Sequence, residues 1–220
     1  MASVSDVVII VDILSFSTSV DIVTGRGSIV YPYKWKDGSA VKFSESVNGI
    51  LAADKRSFNR FSLSPSSLLN IPEDIRFVLP SPNGATLSLS TGNTFTLCGC
   101  IRNAKAVAEF AMTKGEKITV IPAGEKWPDE SLRPAVEDLI GAGAIINYLK
   151  GILSPESESA LSVFRNSIED LRNVIMNCSS GKELIEKGFE NDVELACKLN
   201  ESNCVPGLVD GVYVNLSVDQ

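Results

Sequence analysis

Val7-Val8-Ile9-Ile10-Val11-Asp12 is the stretch that decides the fold class. Consecutive β-branched apolar residues without alternation are what a strand buried on both faces requires, and such strands belong to parallel sheets covered by helices. The run stops at a carboxylate. Beyond it, Ser17-Thr18-Ser19 offer hydroxyl caps, Val20, Ile22 and Val23 give an apolar face, and Gly25 and Gly27 give an end, so a short helix follows. The same order of strand, turn and helix recurs downstream. Further strands are predicted at 28–31, 50–53, 77–79, 94–98, 117–121 and 211–215, and helices at 40–47, 85–90, 104–113 and 134–149. Residues 57–74, rich in Ser, Asn and Pro, read as a loop with room for one helical turn, and 150–198 as polar helices pausing at Ser154-Pro155 and Ser179-Ser180-Gly181. This alternation implies an α/β fold of three layers, α/β/α, around a mostly parallel or mixed sheet. No fixed-period repeat, low-complexity tract or linker interrupts residues 1–220, which predicts one domain.

Composition narrows the chemistry. The chain has 220 residues, a formal charge of −7, 44% hydrophobic residues, five cysteines and no histidine. An acidic pI near 4.8 argues against a nucleic-acid partner, which would meet a basic face. The longest apolar run, Val7 to Val11, is far short of the ~20 residues of a membrane span, and Met1-Ala2-Ser3-Val4-Ser5 has no basic leader region, so no membrane partner is expected. The cysteines are odd in number and form no CxxC pair, which predicts reduced thiols packed as small apolar side chains in a cytoplasmic protein. Without an imidazole there is no Ser-His-Asp triad, Cys-His dyad or HExxH zinc site. A Mg²⁺ site of carboxylate oxygens stays open, since that ion prefers oxygen ligands and phosphate-bearing substrates.

In an open α/β sheet, ligands bind beyond the carboxyl ends of the strands. The residues there are Asp12 with Ser15, Ser17, Thr18 and Ser19; Asp54 with Lys55 and Arg56; Ser81 with Asn83 and Gly84; Arg102 with Asn103; and Gly124 with Glu125. Carboxylates, hydroxyls, amides and cations at five strand ends suit an anionic ligand and a metal. Each has a plainer reading as well. Asp12 either anchors Mg²⁺ or closes an Asx turn; the Ser15 to Ser19 hydroxyls either cradle phosphate at a helix start or cap it. Asn83-Gly84 could be only a turn, and Glu137-Asp138 either bind metal or complement the dipole of the helix they open. Arg133, Arg56 and Lys55 either clamp an anion or solvate, and Trp35 and Trp127 read as packing residues. No GxGxxG or GxxxxGK[ST] fingerprint occurs, so a nucleotide loop is disfavoured.

Taken together, several segments resemble the 2-phosphosulfolactate phosphatase (ComB-like) family. They are Val11-Asp12-Ile13-Leu14-Ser15-Phe16-Ser17-Thr18-Ser19, Pro82-Asn83-Gly84, Arg102-Asn103-Ala104, Pro122-Ala123-Gly124, residues 136–144, and a later piece from Cys178 to Ala196. The resemblance covers about residues 7–215, in order. It implies a Mg²⁺-dependent phosphatase that converts 2-phospho-3-sulfolactate to sulfolactate and phosphate. On that pattern Asp12, Asp54, Lys55 and Asn83 would be catalytic, and Ser15, Ser17, Thr18, Ser19, Gly84, Arg102 and Asn103 would bind substrate. Asp12, Glu137 and Asp138 would hold Mg²⁺. Three departures stand out. The family's Arg is Ser15 here, its Gly-Glu-Arg is matched by Ala53-Asp54-Lys55, and its Thr-Thr before Asn-Gly is Ser81-Pro82.

The expectation is therefore a phosphatase for a small anionic phosphate ester. The alternatives are a catalytically silent anion-binding protein of the same fold, or a phosphatase for an unrelated phosphorylated acid. A homodimer is the assembly expected on general grounds.

Overall fold

The computed structural model describes residues 4–57, 59–129 and 131–219, so the first three residues of the leader reading lie outside it. In chain order, the elements are β1 (Val7–Val11), α1 (Phe16–Gly25), β2 (Ile29–Tyr33), α2 (Gly38–Ser46), β3 (Ile50–Leu51), α3 (Pro65–Leu68), β4 (Arg76–Pro80), α4 (Gly84–Ser88), β5 (Phe95–Gly99), α5 (Ala104–Ala111) and β6 (Ile118–Pro122). They continue with β7 (Glu125–Lys126), β8 (Leu132–Arg133), α6 (Val136–Ile146), α7 (Pro155–Ser167), α8 (Leu171–Asn177), α9 (Ser179–Glu186), α10 (Glu190–Ala196), β9 (Pro206–Val209) and β10 (Val212–Asn215).

Every residue of β1 is fully buried, as its unbroken apolar run demands. It lies between β5 and β6, parallel to both, with Ile9 opposite Leu97 on one side and Val120 on the other. The main sheet has eight strands in the order β3-β4-β2-β10-β9-β5-β1-β6. The blocks β3-β4-β2 and β5-β1-β6 are each parallel inside, and the antiparallel hairpin β9–β10 joins them. Each step from β2 through β10 and β9 to β5 is antiparallel, so the two blocks run in opposite senses along the ladder. Helices cover both faces. Val7, Ile9 and Val11 join Ile140, Ile145, Phe164 and Ile175 in the larger core. On the opposite face, Phe16, Val20 and Val23 of α1 pack with Phe77, Cys98 and Tyr213. All five cysteines are free thiols and four are buried, as their reading as small apolar residues requires. Among the described residues, no helix is long and apolar enough to cross a membrane.

Three local expectations need correction. The strand predicted at 50–53 stops at Leu51, and Ala53 makes only an isolated bridge to Ser62. The helix predicted from Pro134 starts at Val136, because Leu132-Arg133 pair with Glu125-Lys126 in a separate two-stranded hairpin. The closing strand is antiparallel, and its partner β9 was not predicted. The turn between them, Asp210-Gly211, has φ of 50° and 81°, the doubly positive geometry of a tight hairpin turn.

Helices α6 and α7 pack at a point where Gly143 lies against the backbone of Ala160, and a methyl group there would overlap the Ala160 carbonyl. Gly143→Ala is expected to destabilise the fold by about 1–3 kcal/mol through overpacking. Gly38→Ala, at an open helix position, should be neutral or mildly stabilising. Urea denaturation checks both; equal midpoints for the two variants would contradict the packing described.

Candidate active site

Asp12 is the first residue past β1, and local capping holds it rigidly. Its N–H donates to Ser17 Oγ at 2.8 Å, and the Ser17 N–H donates back to the Asp12 carbonyl at 2.8 Å. Its carboxylate accepts the Phe16 N–H at 3.2 Å on Oδ1 and the Gly84 N–H at 3.0 Å on Oδ2. The second bond joins the carboxyl end of β1 to the turn after β4. It needs glycine at 84, since a Cβ there would overlap the Phe16 ring and lie 2.9 Å from Asp12 Oδ2.

A cavity of about 500 Å³ opens above this junction. Asp12, Ser15, Ser81 and Asn83 line it from the ends of β1 and β4. Lys36 enters from the end of β2, Arg56 from the loop after β3, and Glu125 and Trp127 from the hairpin after β6. Asn83 Nδ2 donates to Glu125 Oε2 at 2.9 Å, which fixes one acid. Burial pushes the Asp12 carboxyl up to about 7, and the Glu125 charge adds to the rise. Burial also raises Glu125, and it lowers Lys36 and Arg56. Two carboxylates that resist ionisation thus face two desolvated cations, which suits an oxyanion together with a hard cation.

The structure brings Asp12, Ser15 and Asn83 to this cavity, with Gly84 bonded to Asp12 at its floor. The other predicted residues lie elsewhere. Ser17 caps the Asp12 N–H, Thr18 Oγ1 donates to the Ile13 carbonyl at 2.8 Å, and Ser19 Oγ to the Leu63 carbonyl at 3.2 Å. Asp54 and Lys55 are exposed, and Asp54 borders only a small neighbouring hollow beside Lys36. Arg102 Nε donates to Asp21 at 2.9 Å. Asn103 braces its own turn and the Cys204 carbonyl. Asp138 is buried with both oxygens engaged, by the Ile13 N–H at 2.7 Å and the Gly124 N–H at 2.9 Å, so it ties together two loops that carry the cavity. Glu137 is buried beside Cys178. Among the described residues, no group of three His, Cys, Asp or Glu side chains is arranged to hold a metal.

Arg56 and Glu125, noted among the strand-end residues but given no catalytic, binding or metal role, line the cavity, and Lys36 and Trp127 join them there. Glu125 and Arg56 carried the strand-end signal, and Lys36 follows β2 in the same way. Trp127, read as packing, is half exposed on the cavity wall, while Arg133 is spent on Glu183 at 2.7 Å.

Fold and cavity define an α/β protein with a mixed-charge, anion-sized pocket where strand ends converge. The family model described as 2-phosphosulpholactate phosphatase matches residues 1–211. The chain belongs to the 2-phosphosulfolactate phosphatase family. It is 30% identical over 214 residues to a probable 2-phosphosulfolactate phosphatase of Thermotoga maritima, covering 94% of this chain and 90% of that one. It is also 30% identical to the 2-phosphosulfolactate phosphatase of Methanothermobacter thermautotrophicus, covering 94% and 88%. Against the protein of that name from Methanocaldococcus jannaschii it is 26% identical, covering 94% and 89%.

The raised Asp12 carboxyl carries a stability signature. The folded state holds that proton more tightly than the unfolded chain, whose value is 3.8, so the contribution is full below about pH 4 and is lost as pH rises to about 7. In EDTA, Asp12→Asn should remove this slope. Relative to wild type, the variant should gain stability from about pH 4 to about pH 7 and level off above that, whatever its constant offset. Parallel stability curves would refute the assignment.

Proposed function

We propose that the chain is a Mg²⁺-dependent phosphatase that hydrolyses a small, strongly anionic phosphate monoester, 2-phospho-3-sulfolactate or a near relative, to the free acid and phosphate. The observation that carries this reading is the placing of Asp12 and Glu125 with Arg56 and Lys36 in one cavity, in a chain of this family. The donor set suits the ion, because Mg²⁺ is commonly held by one or two carboxylates plus substrate phosphate, its remaining positions being waters. Asp12 and Glu125, which line the cavity, would hold it, whereas Asp138 lies outside the lining and ties the loops behind it. Bound there, it would supply neutralising charge at the phosphoryl oxygens and an activated water.

The protein's own part is positioning and charge. Arg56 and Lys36 bind the oxyanion and offset charge that grows on the phosphoryl group and on the leaving oxygen. The Phe16 and Gly84 N–H groups fix the Asp12 carboxylate, and Asn83 fixes Glu125, so little reorganisation is left for the reaction. The hairpin bearing Trp127 walls one side of the cavity and limits water. Free thiols go with a cytoplasmic setting.

Phosphate release from phosphorylated carboxylic and sulfonic acids, with Mg²⁺ and with EDTA, tests the reading. Metal-dependent release is expected, greatest for esters bearing a second acid group. Asp12→Asn and Glu125→Gln should each lower kcat by about a hundredfold or more. No release by the wild-type protein across the panel would favour a silent binding protein instead.

A further inference from the structure

Arg56 has more structure around it than a surface cation needs. Its Nη1 donates to the Leu63 carbonyl at 3.1 Å and to Asp192 Oδ2 at 3.0 Å, and its Nη2 donates to Ser15 Oγ at 3.0 Å. A guanidinium has five N–H donors. Among the described residues these bonds use three, so two are left at a side chain that lines the cavity with Asp12 and Glu125.

Asp192 lies on α10, outside the cavity lining, and is 0% exposed. Besides Arg56 it accepts Ser64 Oγ at 2.7 Å, the Ser66 N–H at 3.0 Å and Ser66 Oγ at 2.5 Å. Those donors come from the start of α3 and the residue before it. Three of these bonds fall on Oδ1 and the one from Arg56 on Oδ2, so Asp192 is pinned before any ligand arrives. The pinned carboxylate and the Leu63 carbonyl take both hydrogens of Nη1 and so fix that end of the guanidinium. Ser15 is small enough to leave the guanidinium its place and supplies one acceptor to hold it. The Nε–H and the second Nη2 hydrogen remain, two donors in the plane of a fixed guanidinium, and such donors bind an oxyanion through charge-assisted hydrogen bonds.

We propose that Arg56 grips the oxyanion in the cavity through its two remaining N–H groups, and that Asp192 is a positioning residue that sets this grip from α10. The inference takes its ester substrate from the phosphatase reading, but its oxyanion chemistry is tested without turnover.

The experiment is calorimetric titration of the full chain with inorganic phosphate, for wild type, Arg56→Ala, Arg56→Lys and Asp192→Asn, with circular dichroism to confirm folding. Arg56→Ala should lose about tenfold or more in affinity, in line with loss of hydrogen bonds to a charged group. Arg56→Lys keeps the charge and the stem, yet it should still bind several-fold more weakly, because the fork is gone. Added guanidinium ion should restore phosphate binding to Arg56→Ala, a rescue that a purely structural arginine would not show. Asp192→Asn should raise KM more than it lowers kcat. The proposal is overturned if wild type binds no phosphate, if either Arg56 variant binds within twofold of wild type, or if guanidinium restores nothing to folded Arg56→Ala. Should Arg56→Ala not fold, the Arg56→Lys titration decides alone. Arg56-dependent phosphate binding without ester turnover would remove the phosphatase reading and leave this one. Ester turnover with Arg56-independent binding would do the reverse.

Discussion

The structure turns on one buried carboxylate held by two backbone N–H groups. The two parallel blocks of the sheet run in opposite senses, so their carboxyl ends have no reason in simple ladder geometry to share a rim. Four strand steps separate β2 from β1, and a twist of roughly −20 to −25° per step turns one block nearly at right angles to the other. Where the ends meet, Asp12 bonds the Gly84 N–H from across the junction and the Phe16 N–H from its own helix. Burying that charge costs stability, and the two bonds offset only part of it, since the carboxyl still sits at about 7. The group that closes the architecture is therefore also the one left strained toward a cation, a trade common at functional sites.

Around this centre the polar groups form two tiers with different tasks. Asp12, Glu125, Lys36 and Arg56 face the cavity. Behind them Asp138 and Asp192 are buried and hydrogen-bonded through both oxygens, and they hold loops rather than ligands: Asp138 fixes residues 13 and 124, and Asp192 fixes Arg56 and the start of α3. Preorganisation of this kind separates a reactive site from a merely charged hollow. It also bears on Ser15, the position at which the family resemblance implies an arginine. A guanidinium stands beside that hydroxyl, delivered from Arg56.

The general plan of both fold and site was legible. The unbroken run at Val7 to Val11 could only be a central strand, and reading the ends of the strands led to Asp12, Ser15, Asn83 and Gly84. Other parts were ambiguous for definite physical reasons. A hydroxyl run at a helix start looks the same whether it cradles phosphate or caps its own turn, and Ser17, Thr18 and Ser19 do the latter. Asp54-Lys55-Arg56 presents three charges in a row, and only loop geometry decides that the third turns inward. Asp138 and Asp192 act on partners 125 and 136 residues away, a relation that periodicity does not encode. By contrast, the β9–β10 hairpin was readable. Asp210-Gly211 between valines is a strong hairpin signal.

The central claim is spatial: one cavity holds the cation at Asp12 and Glu125 and the oxyanion at Arg56. Its most direct test is a crystal structure of the protein with Mn²⁺ and tungstate, each located by anomalous scattering. A manganese peak is expected between the Asp12 and Glu125 carboxylates, with a tungstate against the remaining Arg56 N–H groups. Both ions ordered instead beside Asp54 and Lys55, or at Glu137 and Cys178, with this cavity holding neither, would contradict it.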